Sequence, residues 1–125
     1  MRHALTLSPL GHTWLIDLDG CVLEHNGHLH GEDILLPGVK EFWARIPASD
    51  TIILLTSRTE AHAETTRAAL QRFGLRYDRI IFGLPFGERI LINDEKPSGL
   101  QTAHAVNLPR DAGPSEIEVA IDPSR

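Results

Sequence analysis

The sequence predicts a small α/β domain built on a parallel sheet with flanking helices. Two aliphatic runs of strand length, 13–18 and 51–56, are separated by a helical pattern, and strands that alternate with helices are typical of this class. The second run contains four consecutive aliphatic residues, as in parallel strands that are covered on both faces. The 125 residues suffice for one hydrophobic core.

The composition and net charge of the chain disfavour some classes of binding partner. The formal net charge of -5 disfavours the phosphate backbone of nucleic acids, and the longest aliphatic run, 52–55, is far shorter than the roughly 20 residues of a membrane span. The single cysteine, Cys21, fits a reducing compartment, and the start of the chain lacks the apolar stretch of a secretory signal. We therefore expect a cytoplasmic protein that binds neither nucleic acid nor membrane.

The first half of the chain is expected to form a strand, a loop and a helix. The strand spans 13–18, and residues 20–36 contain three glycines and three histidines with little periodicity, which indicates a long loop or small flap. Pro37 suits the first turn of a helix, and Pro47 ends it. The apolar face of this helix has the spacing i, i+3, i+4, i+7 and comprises Val39, Phe42, Trp43 and Ile46.

The second half is expected to continue the alternation. A second strand spans 51–56, a capping box of Ser57 and Glu60 opens the next helix, and Gly74 ends it. Only about six residues separate strands at 79–82 and 89–92, fewer than a parallel crossover needs, so either 79–82 is an extended crossing segment or its pairing is unusual. Further candidates are a strand at 102–106 and an edge strand at 116–121 within a tail, 108–125.

Two aspartates follow the first strand at its carboxyl end, where ligands bind in open parallel sheets. Asp17 and Asp19 stand two residues apart, so both can approach one reaction centre if the chain curls at Asp19. Gly20 permits such a turn. Paired carboxylates suit Mg²⁺, and the alternative is an acidic turn that only caps the strand.

The second strand ends in Thr56, Ser57 and Arg58. Hydroxyl groups and free backbone N–H groups at the start of a helix form an anion site, although Ser57 is equally suited to a plain N-cap. Arg58 would contact a substrate or would be a cation on the helix face. A phosphate is the anion that this strand end predicts.

A third strand end carries oxygen ligands and a lysine. Asn93 and Asp94 follow the run 90–92, and Lys96 is one of two lysines in the chain. Lys96 would form a surface ion pair of little energy or would balance the charge of a phosphate. The three strand ends together offer a nucleophile, a phosphate grip and a metal ligand with counter-charge, which are the elements of phosphoryl transfer.

Three histidines lie close together in the loop. His25, His28 and His30 fall within six positions, and zinc would need Cys21 or Glu24 as a fourth ligand. The alternatives are histidines that contact a substrate and histidines that are solvated.

The order of these motifs resembles the haloacid dehalogenase (HAD) superfamily of aspartate-nucleophile phosphatases. The resemblance covers about residues 13–107 of a single domain, 1–125, and the segment Arg89–Pro97 is similar to small members linked to bacterial surface-sugar and sugar-phosphate biosynthesis. The motifs that carry the resemblance are Asp17–Gly20, Leu54–Thr56 and Ile92–Asp94.

The resemblance implies a Rossmann-like parallel sheet without a cap domain and a magnesium-dependent phosphatase that acts on a small phosphorylated metabolite. Asp17 would attack phosphorus, Asp19 would act as acid and base, and Thr56 would hold a phosphate oxygen. The open site would be covered by a second copy, a partner subunit or the loop 20–36. Mg²⁺ would be bound by Asp17, Asp19 through its main-chain carbonyl, Asp94 and Asn93, and the phosphate or substrate by Thr56, Ser57, Arg58 and Lys96.

Departures from the family pattern leave a second hypothesis open. Asn93 stands where an aspartate is usual, and no lysine precedes that strand, so Lys96 or Arg89 would have to replace it. A degenerate domain that binds a phosphorylated ligand or a biosynthetic partner without turnover is therefore the alternative. A receiver-like domain fits poorly, because its phosphorylated aspartate would lie on a middle strand, where this chain has 51–56 followed by Ser57 and Arg58.

Overall fold

The computed structural model describes residues 2–125, which form five strands, two α-helices and two short 3₁₀ turns. The 3₁₀ turns are Gly27–Leu29 and Glu60–His62. The strands and helices, in chain order, are β1 (His3–Leu7), β2 (Thr13–Asp17), α1 (Val39–Arg45), β3 (Thr51–Leu55), α2 (Ala63–Arg72), β4 (Arg79–Ile81) and β5 (Ile117–Ile121).

The strands form two parallel sheets. One sheet has the order β2-β3-β4, and the other pairs β1 with β5. In the larger sheet Asp17 lies opposite Leu55, and Leu55 lies opposite Ile81, so the carboxyl ends of its strands lie at one edge. The domain is therefore α/β with parallel sheets flanked by helices, as the sequence predicts.

The predicted apolar face of α1 is confirmed. Val39, Phe42 and Trp43 are buried in the main hydrophobic cluster, and Ile46, which caps the helix, is buried beside them. The Trp43 indole Nε1 donates to the carbonyl of Arg76 at 2.9 Å, which satisfies its polar group inside the core. This helix thus packs against the sheet as an amphipathic element.

The side chains of β3 are buried to different degrees. Ile52 and Leu54 are fully buried, whereas Ile53 and Leu55 are partly buried and Thr51 is exposed. Complete burial of an aliphatic side chain contributes about 1.5–3 kcal/mol. The alternate residues of β3 therefore form the centre of the core.

The predicted capping box is wrong. The chain after β3 stays extended as far as Thr59, a 3₁₀ turn follows, and α2 begins at Ala63. The Ser57 hydroxyl donates to the carbonyl of Pro85 at 3.4 Å instead of capping a helix. The prediction of Gly74 as the end of α2 is confirmed, because Gly74 follows the cap with φ +70, a conformation that glycine adopts without strain.

The strands predicted at 89–92 and 102–106 are also wrong. The connection from β4 to β5 carries no strand or helix, and Ile90 and Ile92 are 83% and 90% exposed. A connection of six residues cannot return the chain to the start of the sheet, so the run that follows β4 leaves the sheet. The segment 79–82 itself pairs with β3 through β4.

The strands near the two ends of the chain form the second sheet, and the sequence predicted only one of these two strands. The edge strand predicted at 116–121 is present as β5, but its partner is β1, which no pattern in the sequence had indicated. Ile117 belongs to the main core, and Leu5 and Val119 pack against it. The two-stranded sheet is thus attached to the domain through its apolar side chains.

The loop 20–36 is fixed to the core. Val22, Leu23 and Leu36 are buried, and Leu23 makes isolated bridges to Asp19 and Leu35. None of the helices within residues 2–125 is both long and apolar enough to cross a membrane.

Candidate active site

The two aspartates lie at the carboxyl end of β2. Asp17 is its last residue, and its side chain is 40% exposed, whereas that of Asp19 is 16% exposed. The backbone N–H of Leu18 continues the pairing with Leu55, so the end of β3 stays beside this turn. As a result the Thr56 hydroxyl donates to Asp19 Oδ2 at 2.8 Å.

A tight turn directs Asp19 away from the strand. Gly20 has φ +85, and its N–H donates to the carbonyl of Leu23 at 2.7 Å. The N–H groups of Val22 and Leu23 both donate to the carbonyl of Leu18 at 3.0 Å. These bonds fix the backbone on which Asp19 stands.

Arg58 lies inside the protein between two carboxylates. Its Nε donates to Asp19 Oδ1 at 3.0 Å, and its terminal nitrogens donate to Asp33 at 3.1 and 2.7 Å. One of these nitrogens also donates to the Thr66 hydroxyl at 2.9 Å. Burial lowers the pKa of Arg58, but the bonds to Asp33 and Asp19 outweigh it and raise the pKa above its usual value.

The geometry of Arg58 differs from that of a cation on a helix face. Its side chain is 1% exposed, so it is not a solvated cation on a helix face. Its guanidinium contacts protein carboxylates. The partner Asp33 was missed because an acid in an irregular loop gives no periodic signal, and only the folded chain brings it to Arg58.

Asp17 has a different environment. Arg89 Nη1 lies 3.2 Å from Asp17 Oδ1, and the Cys21 thiol lies 3.8 Å from Oδ2. Burial raises the pKa of Asp17, Arg89 lowers it and the charge of Asp19 raises it, with a net rise. Burial and the neighbouring Asp17 raise the pKa of Cys21 to about 11, so the thiol is protonated at neutral pH and donates weakly to the carboxylate.

The third predicted strand end makes its hydrogen bonds within its own segment. Asn93 Nδ2 donates to the carbonyl and hydroxyl of Thr102 at 3.0 and 2.9 Å, and the Thr102 hydroxyl contacts the carbonyl of Asp94. The backbone N–H of Lys96 donates to the carbonyl of Leu100 at 3.1 Å. The segment therefore closes on itself as an exposed loop.

The structure thus brings together part of the predicted site. Between residues 2 and 125, no hydrogen bond or ion pair joins the side chains of Asn93, Asp94 or Lys96 to Asp17 or Asp19. The predicted residues that do lie together at the carboxyl end of β2 and β3 are Asp17, Asp19, Thr56 and Arg58.

The magnesium ligands that the sequence suggests do not form a complete set. Over the described range 2–125, no group of three or more histidine, cysteine or acidic side chains converges in a way that could hold a metal ion. Both oxygens of Asp19 accept hydrogen bonds from Thr56 and Arg58. The described histidine, cysteine and acidic side chains, as placed, therefore offer no closed cation site by themselves.

The three loop histidines have different surroundings. The ring of His28 packs edge-to-face on that of His62, with centroids 4.8 Å apart. Burial and the charge of Arg58 lower the pKa of His28, and its Nδ1 is buried without a hydrogen-bond partner. The backbone of His25 donates to Asp111 Oδ1 at 2.8 Å, and His30 is exposed. A zinc site of the three histidines gains no support from this arrangement.

Two carboxylates of unlike environment define what the site can do. One is partly open to solvent at a strand end and can approach a ligand, while the other is held by a hydroxyl and a guanidinium beside it. Such a pair suits a nucleophile and an acid/base group.

No protein-family model matches the chain, and no curated protein or solved structure matches it significantly.

Proposed function

We propose that the protein is a phosphomonoester hydrolase that works through an aspartyl-phosphate intermediate. The observation that carries the proposal is the pair at the end of β2, in which Asp17 is accessible and Asp19 is held by Thr56 and Arg58. A HAD-like fold without a cap domain is part of the proposal and rests on the resemblance of the motifs. A single accessible carboxylate would serve binding, but catalysis also needs the second one.

The first step transfers the phosphoryl group to the protein. A carboxylate oxygen of Asp17 attacks phosphorus and forms a P–O bond while the bond from phosphorus to the leaving oxygen breaks. Asp19, in its protonated form, gives its proton to that leaving oxygen, and the alcohol departs. The Thr56 hydroxyl donates to Asp19 Oδ2 at 2.8 Å and would turn its hydrogen to a phosphate oxygen when the substrate binds.

The second step regenerates the carboxylate. A water molecule attacks phosphorus in the aspartyl phosphate and loses a proton to the Asp19 carboxylate, and the bond between phosphorus and Asp17 breaks. Inorganic phosphate leaves, and Asp19 is again protonated. Because Asp19 acts first as an acid and then as a base, a position fixed by two hydrogen-bond donors serves both steps.

The proposal keeps Mg²⁺ as the cofactor. Its ligands would be Asp17, the main-chain carbonyl of Asp19, Asp94 and Asn93, all of which offer the oxygen atoms that this ion prefers. Binding of this set requires the exposed loop of Asn93 and Asp94 to approach Asp17, since no contact joins them as placed. No step of the mechanism is therefore derived through the ion.

A small sugar phosphate is the substrate class that we propose, on the resemblance of 89–97 to proteins of sugar-phosphate biosynthesis. Ser57 and Lys96 belong to the proposed phosphate or substrate contacts. Since no cap domain is expected, a second copy or a partner subunit would cover the open site.

Binding without turnover is the second candidate function. Asn93 donates to Thr102 and not to the site. Arg89 Nη1 lies 3.2 Å from Asp17 Oδ1, so the carboxylate that would be the nucleophile is paired with a cation. A domain of this kind would hold a phosphorylated ligand through Arg89 and Thr56. It would not need Asp19 as an acid.

Phosphate release distinguishes the two functions. The substrates are p-nitrophenyl phosphate and a panel of sugar mono- and bisphosphates, each with Mg²⁺ and with EDTA. We expect release by the natural protein that EDTA reduces and that Asp17→Asn abolishes, because an amide is not a nucleophile toward phosphorus. Asp122→Asn, which changes a partly exposed aspartate after β5, is the matched control and should retain the activity.

Folding of each variant is checked by circular dichroism and by thermal unfolding. A folded natural protein that releases no phosphate from any substrate would contradict the hydrolase and favour the binding function instead. Release that persists in Asp17→Asn would refute the assigned nucleophile.

A further inference from the structure

A buried cluster of three charged side chains underlies the acid/base residue. The side chains of Arg58 and Asp33 are 1% and 5% exposed, and that of Asp19 is 16% exposed. Arg58 follows β3, Asp33 comes from the loop 20–36, and Asp19 follows β2. Three separate segments of the chain thus meet at one guanidinium.

The Arg58 guanidinium donates hydrogen bonds to both carboxylates. The two terminal nitrogens of Arg58 donate to the two oxygens of Asp33 as a fork, at 3.1 and 2.7 Å. Asp19 receives Nε at 3.0 Å and the nearer terminal nitrogen at 2.9 Å, both on Oδ1. One positive charge therefore faces two negative ones, and Asp19 shares its cation.

This arrangement matters for the position of Asp19. The fork on Asp33 holds both terminal nitrogens of Arg58, and Nε then donates to Asp19 Oδ1. A general acid or base must stand at hydrogen-bond distance from the atom that it protonates or deprotonates. The fork on Asp33 therefore contributes to the position of Asp19.

We propose that Asp33 is a positioning residue that acts through Arg58. By taking the fork of the guanidinium, it aims the remaining N–H groups at Asp19 Oδ1 and so fixes where that carboxylate stands. This inference rests on the proposed function, in which Asp19 gives and takes a proton. Within residues 2–125, Asp33 bonds Arg58 and makes no hydrogen bond or ion pair with Asp17.

Other groups around Asp19 also carry charge. Asp17 lies on β2, and its pKa responds to Asp19. His28, from the loop 20–36, responds to Asp19, Arg58 and Asp33, and its neighbour His62 comes from the turn before α2. The test must therefore change one charge and leave these groups in place.

The test compares Asp33→Asn with Asp33→Glu and Thr66→Val in the full chain. Thr66 is fully buried and accepts a hydrogen bond from the same guanidinium at 2.9 Å, so Thr66→Val removes one uncharged partner of Arg58 and leaves the charges in place. For each protein, kcat and KM for p-nitrophenyl phosphate are measured.

We expect Asp33→Asn to lower kcat roughly tenfold or more, within the contribution of general acid catalysis, and to change KM less than about threefold. Asp33→Glu keeps a carboxylate for the fork and should restore most of kcat. Thr66→Val should stay close to the natural kcat, because Asp33 still holds the guanidinium.

An unchanged kcat in a folded Asp33→Asn variant would overturn the proposal, and so would a rise in KM without a fall in kcat, because the role assigned to Asp33 is to place the acid/base residue. A second readout needs no activity: the exchange rate of the Arg58 Nε–H with water, followed by ¹⁵N NMR. Faster exchange in Asp33→Asn than in Thr66→Val supports the anchoring of Arg58, and equal rates overturn it. If the natural protein releases no phosphate, the proposed function fails, and the exchange rates alone decide the role of Asp33.

Discussion

Asp17 and Asp19 carry the same carboxyl group, but the protein surrounds them differently. Asp17 ends β2 with 40% of its side chain exposed, and its cation is Arg89 on a surface segment. Asp19 is bonded by the buried Arg58 and by Thr56. Because unlike environments assign unlike roles to chemically identical acids, the accessible aspartate is suited to attack and the enclosed one to proton transfer.

Arg89 provides a test of this assignment at the residue scale. It lowers the pKa of Asp17 against the larger effect of burial, so Arg89→Gln should raise that pKa further. In the proposed mechanism Asp17 attacks as the carboxylate, so activity should fall as pH drops through the pKa of Asp17. We expect the acid limb of the pH profile to move to higher pH in Arg89→Gln.

The measurement is kcat/KM across pH at low and high salt. Arg89 and Asp17 are both partly exposed, so salt should screen their interaction and reduce the difference between the variant and the natural protein. Arg72→Gln, an exposed change on α2, is the matched control and should keep the natural limb. A higher KM in Arg89→Gln with an unmoved limb would instead assign Arg89 to the phosphate.

At the scale of secondary-structure elements, Asp50 joins the starts of β2 and β3. Its carboxylate is 1% exposed and accepts hydrogen bonds from Trp14 Nε1 at 2.9 Å and from the backbone N–H of His12 at 3.1 Å. The His12 ring lies between Asp50 Oδ2 and the carbonyl of Ser8, at 2.8 and 2.9 Å. One carboxylate thus orders the segment that leads from β1 into β2.

Asp50→Ala should destabilise the fold by about 2–4 kcal/mol at neutral pH, because it leaves buried donors without an acceptor. Burial raises the pKa of Asp50, but the hydrogen bonds from Trp14 and His12 outweigh it and lower the pKa below its usual value. The stabilisation is therefore complete above the unfolded pKa, about 3.9, and is lost as pH falls through the folded value.

Urea unfolding at several pH values measures this effect. The difference between Asp50→Ala and the natural protein should be constant near neutral pH and should shrink in strong acid. Glu64→Ala, at an exposed position of α2, should leave the midpoint unchanged. A difference that grew on acidification would contradict the ionised state of Asp50 in the folded protein.

The sequence predicted the elements that local patterns specify. The strands β2 and β3, the buried face of α1 and the glycine that ends α2 follow from the period of the apolar residues and from glycine conformation. The run 90–92 has the composition of a strand, but composition cannot show where a strand finds a partner. Its short link to β4 prevents parallel pairing, and that constraint overrides the local preference.

The candidate site was predictable to the same extent. Asp17, Asp19 and Thr56 are adjacent because they end neighbouring parallel strands, which the spacing of the strands indicates. Asp33 joins them through a contact that spans 25 residues to Arg58, and no local pattern reports such a contact. Asn93 and Asp94 depended on the strand that did not form.

At the scale of the whole molecule, the segment 107–116 links the two sheets. The backbone N–H of Asp111 donates to the carbonyl of Gly20 at 2.9 Å, and Asp111 Oδ1 accepts from the backbone of His25 at 2.8 Å. Gly113 is buried and has φ +82, and a Cβ atom there would overlap the carbonyl oxygen of Pro37. The segment therefore packs on both the turn beside Asp19 and the start of α1.

Gly113→Ala should disrupt this packing. A positive φ alone costs about 1–2 kcal/mol for an alanine, and Gly99→Ala, at φ +89 with open space around it, measures that cost by itself. Gly113→Ala must also displace the backbone of Pro37, so we expect a loss of about 3 kcal/mol or more. Chemical denaturation of both variants gives the comparison.

Gly113→Ala also connects packing with the candidate site. If the segment 107–116 moves, the Gly20 carbonyl and the His25 N–H lose their hydrogen bonds to Asp111. The turn that carries Asp19 is then held less firmly. Phosphate release should therefore fall in Gly113→Ala under conditions where the variant is still folded, and it should persist in Gly99→Ala. Equal stability and equal activity of the two variants would show that the segment 107–116 is not held against α1 and the turn at Gly20.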